Sequence, residues 1–163
     1  MPYSALDVAR CFIHTAASAQ DEAEYLSPMR LQKLLYYAQG WHLALRGEPL
    51  FGDTIEAWQH GPVVRAVFKE FQEYGGRSID VEKVPQHGLA PDASAFVANV
   101  WESYKHLSAL ALSAMTHSEP PWCQARAGLS LNSASDRPIA VDAMREYFTS
   151  LEKSGGRGQR RQA

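Results

Sequence analysis

Between residues 4 and 18 the apolar side chains Ala5, Val8, Ala9, Phe12, Ile13 and Ala16 recur at the i, i+3, i+4, i+7 spacing that lines one face of an α-helix. Ser4 precedes them and Asp7 follows it by three residues, a near-capping box whose oxygens can satisfy the free backbone donors of a helix start. A second helix is expected from Ser27 and Pro28 to Arg46, with Gly47 as its stop. In it Leu31, Leu34, Leu35, Ala38, His42 and Leu45 share one arc of about 100°, an ordinary core face. The far side is less ordinary. Tyr36, Tyr37, Leu43 and Ala44 occupy it with Lys33 and Gly40, Trp41 flanks the core arc, and only Gln32, Gln39 and Arg46 make a clear polar edge. A helix apolar nearly all round is either central to its domain or keeps one face for a partner.

Downstream the period changes. Residues 54–59 alternate as a short strand does, Gly61-Pro62 ends the run, and Pro62 is expected to open a helix in which Val63, Val64, Val67, Phe68, Phe71 and Tyr74 share a face. Gly75-Gly76 stops that helix, and residues 78–84 alternate again, a candidate partner for the first strand. After a loop over 85–91, Phe96, Val97, Val100, Tyr104 and Leu107 predict another helix, and Ser108 caps a short one. Glu119-Pro120-Pro121 starts a further helical turn, and Val141, Met144, Phe148 and Leu151 mark a final amphipathic helix. The expected fold is mainly α (α+β): a compact bundle of about six helices with a small two- to three-stranded β element. Residues 1–151 are expected to form one globular unit, and 152–163 a flexible basic tail.

Composition narrows the function classes. The hydrophobic fraction of 45% and charged fraction of 21% are those of an ordinary globular protein. Twelve of the sixteen cations and seventeen of the eighteen acids fall in residues 1–151, which therefore carry −5 while the last twelve residues carry +3. An acidic body argues against a nucleic-acid partner, which requires phosphates to be neutralised. Two cysteines, Cys11 and Cys123, are too few for a disulfide framework, no stretch has the length of a membrane span, and Asp7 and Arg10 interrupt any signal-like run. A cytoplasmic protein with free thiols is expected.

The chain is poor in recognisable chemistry. Neither GxxxxGK nor GxGxxG occurs, and the six histidines show no metal-ligand spacing, so no cofactor, metal or catalytic site is expected. The run Thr116-His117-Ser118-Glu119-Pro120-Pro121-Trp122-Cys123 does gather a base, hydroxyls, a carboxylate and a thiol. One reading is a thiol-dependent enzyme using His117 and Cys123; the plainer one is a helix junction with a packed Trp122 and a small buried cysteine. Tyr36, Tyr37 and Trp41 carry a similar pair of readings, core residues or anchors of a binding surface, where such rings dominate.

The stretch Leu31-Gln32-Lys33-Leu34-Leu35-Tyr36-Tyr37-Ala38-Gln39-Gly40-Trp41, then Gly47-Glu48-Pro49-Leu50-Phe51 and residues 55–64, IEAWQHGPVV, resembles the Panacea domain family of phage-associated, GepA-like proteins. Thr116-His117-Ser118-Glu119 and Pro121-Trp122 resemble that family's second motif, and the likeness covers roughly residues 5–150. The resemblance implies a non-enzymatic antitoxin that binds a cognate toxin protein and, as a proteolytic adaptor, presents it to ClpX of the ClpXP protease. A simple neutralising or DNA-associated regulatory antitoxin is the alternative within the same class. The partner face is expected at Lys33, Tyr36, Tyr37, Gly40 and Trp41, with Trp58, His60, Gly61, Pro62, His117, Glu119 and Trp122 shaping the adjoining surface.

Overall fold

Helix boundaries follow the local chemistry of their ends. The computed structural model describes residues 2–18 and 26–155. Helix α1 (Ala5–Ala17) starts where the Ser4 hydroxyl accepts the Asp7 N–H, while the Asp7 carboxylate turns away to accept the Gly88 N–H at 2.8 Å. Helix α2 (Pro28–Arg46) starts where the Ser27 hydroxyl accepts the Arg30 N–H, has its proline in the first turn, and stops at Gly47. Strands β1 (Glu56–Trp58) and β2 (Gly61–Val63) follow, then α3 (Arg65–Phe71), α4 (Pro91–Tyr104), α5 (Ala109–His117), α6 (Pro120–Ala125) and α7 (Val141–Lys153). Among the described residues these seven helices and the two-stranded antiparallel sheet match the expected mainly-α fold with a small β element.

The departures lie in the middle of the chain. Gly61-Pro62 does not end a strand; both residues are in β2, paired Trp58↔Gly61 and Ala57↔Pro62 around a turn at Gln59 and His60. The helix expected from Pro62 therefore begins at Arg65, and a 3-10 turn over Gln72–Tyr74 completes it. Residues 78–84 are not a strand. They form a 3-10 turn, Val81–Lys83, capped by Asp80, because Ile79 and Val84 are anchored inward with the Ile79 N–H bonded to the Leu26 carbonyl. The outer edge of β1 is met instead by residues 137–139, through Ala57 N–H to Arg137 O and Ile139 N–H to Ile55 O, each 2.7 Å. From residue 156 on, the expected basic tail lies outside the described residues.

Helix α2 is the axis of the fold. Residues 30–41 are all buried, and α2 packs against α1, α3, α4, α5, α7 and β2. Of the two readings its sequence allows, the central one holds. Its closest neighbour is α7, which can approach because residue 40 is glycine: a Cβ there would stand 2.2 Å from the Phe148 ring. That ring lies edge-on to Tyr36, Tyr37 and Trp41 at centroid distances of 5.6, 6.0 and 5.2 Å.

Candidate functional site

A buried helix has no water to satisfy its polar side chains, so each on α2 must find a protein partner. Gln39 takes the bend before the hairpin, donating to the Phe51 carbonyl at 2.8 Å and accepting the Leu50 and Phe51 N–H groups at 2.8 and 3.2 Å. Gln32 does the same after the hairpin, donating to the Val64 carbonyl at 3.1 Å and accepting the Val64 N–H at 2.8 Å. Lys33 Nζ donates to the Pro62 carbonyl at 3.2 Å, and burial brings its pKa down to about 7. Gly61 makes this approach possible: it has φ +122°, and a Cβ on it would fall 2.6 Å from Lys33 Cε. The polar letters of the α2 motif thus tie down the backbone on both sides of the hairpin.

The tyrosines reach further along the chain. Tyr36 and Tyr37 hydroxyls donate to the two oxygens of Glu119 at 2.9 and 3.0 Å, and the Tyr147 phenol of α7 lies close enough to add its pull on that carboxylate. Burial pushes the Glu119 carboxyl up to about 7, against the pull of those three phenols. Burial and the nearby Glu119 raise all three phenols well above their ordinary range. Trp41 Nε1 donates to the Tyr104 hydroxyl at 2.8 Å, and Trp122 Nε1 to the Trp58 carbonyl at 2.8 Å. Arg126 lies over the Trp122 ring and donates to the Ala57 carbonyl at 2.9 Å, clamping α6 to β1. The two motifs, far apart in sequence, are one hydrogen-bonded frame.

This placement corrects the expected partner face. Tyr36 and Tyr37 expose 0% of their surface, Lys33 2% and Trp41 3%. Gly40, Gly61, Pro62, Glu119 and Trp122 are buried as well, so these nine residues hold the fold from inside. The structural reason is the all-round enclosure of residues 30–41 of α2, which leaves no side of that stretch for a partner. Trp58, His60 and His117 alone among the candidates reach the surface.

Around two of them lies a groove that the sequence did not suggest. It has a volume of about 520 Å³ and a largely apolar wall, running from Trp58, His60 and Val63 of the hairpin to Ala134 and Asp136, with Arg65 at its edge. The Trp58 ring packs against Phe68 at 4.9 Å and beneath the Arg65 guanidinium at 5.6 Å. A short alternating strand gave some warning of Trp58, but the 134–136 segment has no periodicity to mark it.

The thiol arrangement does not assemble. Cys123 Sγ donates to the His117 carbonyl at 3.1 Å, while the imidazole stacks on Trp122 at 4.3 Å. Partial burial, then Glu119, raises the thiol pKa, the reverse of what a nucleophile requires. Burial and neighbouring Lys33 lower that of His117. Contrary to the buried position expected of it, Cys123 is exposed. No group of three or more metal-ligating side chains is present among the described residues.

The fold and site define a helical domain with a rigid internal polar frame and an apolar surface groove beside its hairpin. The family described as Antitoxin SocA-like, Panacea domain, matches residues 31–123, from α2 through α6, and the chain belongs to that family. It is similar to Antitoxin SocA of Caulobacter vibrioides (strain NA1000 / CB15N), with 43% identity over 54 residues, 33% of this chain and 29% of that relative. The chain thus matches under a third of the length of that relative. No solved structure matches the chain.

Proposed function

We propose that the chain is the antitoxin of a toxin–antitoxin pair: it binds its cognate toxin protein and, as a proteolytic adaptor, delivers it to the ClpXP protease. The observation that carries this reading is the family match across α2 to α6, which takes in both the internal frame and the hairpin. The similarity to Antitoxin SocA supports the same class. An adaptor works through surfaces and not through a reaction, so it needs a stable body and places to be gripped. The locked positions of Glu119, His117 and Cys123 agree with a non-enzymatic role. No described helix is long and apolar enough to cross a membrane; action in the cytoplasm, where the protease works, is part of the proposal.

The test is co-expression with the protein encoded by the neighbouring reading frame. The chain should restore growth and co-purify with that protein, and it should shorten the toxin's lifetime only in cells that have ClpX. Rescue with an unchanged toxin lifetime would leave neutralisation and remove delivery. Failure to rescue or bind would remove the antitoxin reading itself.

A further inference from the structure

We infer that the groove beside the β1–β2 hairpin is the docking site for the partner protein, and that it takes a basic segment presenting an apolar side chain. This deepens the proposed antitoxin reading and rests on it. The wall is fixed before any partner arrives. Trp58 Nε1 donates to Glu56 Oε1 at 2.8 Å, and Arg65 Nη2 donates to the same oxygen at 2.9 Å, so one carboxylate sets both the indole and the guanidinium above it. Phe68 supports the indole from α3 and remains 36% exposed. Tryptophan and arginine held this way lose little freedom on binding, which is the property of interface anchors.

Charge selects the occupant. The Arg65 cation is met from beneath by the largely covered Glu56 and, at 3.5 Å, by Asp136, so this cluster of three charges at the groove's edge sums to one negative charge. The Asp136 side chain is 76% exposed and stands at the mouth with acceptor capacity to spare. The described residues up to 151 hold 12 cations and 14 acids, a small net charge of the same sign. A lysine or arginine beside an inserted apolar side chain gains from both, and an acidic segment is repelled.

The full chain is panned against a displayed random-peptide library, and in parallel its affinity for the co-purified toxin is measured. Ala134→Trp fills the groove from an exposed position, Asp136→Lys reverses the charge at its mouth, and Leu110→Lys alters the most exposed large apolar side chain among the described residues. Recovered peptides should combine Lys or Arg with aromatic or aliphatic residues, and should bind each groove variant at least about tenfold more weakly but Leu110→Lys as the wild type. Recovery of acidic peptides, recovery of none, or undiminished binding to a groove variant with the wild-type melting temperature overturns the inference. If Ala134→Trp fails to fold, Asp136→Lys decides. Toxin bound equally by the wild type and the groove variants removes the docking site and leaves the antitoxin reading; peptides bound through the groove with no toxin bound removes the antitoxin reading alone.

Discussion

Replacing Lys33 by methionine should stabilise the chain at neutral and acidic pH and lose that advantage in alkali. The lysine is 2% exposed, and burial lowers its pKa from 10.5 to about 7. For a base, a lowered folded value means that the folded state holds fewer protons than the unfolded one between about 7 and 10.5, so stability rises with pH across that window. Below it the full penalty applies, about 5 kcal/mol at ~1.4 kcal/mol per pH unit. Methionine has a similar length and no charge; it forfeits the bond to the Pro62 carbonyl, about 1–2 kcal/mol. The net gain at pH 6 is about 3 kcal/mol, or roughly 6–12 °C in melting temperature for a chain of this size. Urea unfolding followed by far-ultraviolet circular dichroism from pH 6 to 10.5 would show the advantage shrinking and the two curves crossing. A variant less stable than wild type at pH 6, with a gap that does not change with pH, would refute the reasoning.

Three other outcomes follow from the same frame. Gly40→Ala places a methyl 2.2–2.6 Å from three ring carbons of the fully enclosed Phe148; overpacking outweighs the gain in helix propensity, and the variant should lose ~1–3 kcal/mol in urea titrations. Glu119 has a raised carboxyl pKa, so the wild type loses stability as pH climbs from 4.5 to about 7, by up to about 3 kcal/mol; Glu119→Gln should abolish that slope in melting curves taken across the window. Cys123→Ser should leave melting temperature within about 1 °C and growth rescue unchanged, since the thiol is an exposed donor to a carbonyl that a hydroxyl can replace.

Helix ends were legible because their chemistry is local: Ser4, Ser27 with Pro28, Ser108 and Gly47 act within a turn of where they stand. The hairpin was not, because Gly61-Pro62 carries the mark of a chain breaker. Its strand role depends on Lys33 and Gln32, about thirty residues away, taking up the carbonyls of Pro62 and Val64. Residues 78–84 misled for a different reason. Ile79 and Val81 turn toward the core between exposed Asp80 and Glu82, which reads as a short alternation but belongs to a 3-10 turn without any ladder to pair with. On α2 the two readings of the aromatic side could be separated only by knowing that Glu119 lies 82 and 83 residues away and accepts both tyrosines. The groove was hidden because its second wall, 134–136, is irregular backbone brought beside β1 by main-chain bonds that no side-chain pattern encodes.

Ultraviolet titration of the intact chain asks most directly whether the signature tyrosines face inward to Glu119 or outward to a partner. Tyr36, Tyr37, Tyr104 and Tyr147 should stay un-ionised as pH is raised past 10, so no more than three of the seven tyrosines give tyrosinate absorbance while the far-ultraviolet dichroism is unchanged. Ionisation of more than three in the folded chain would contradict the buried frame and return those rings to the surface.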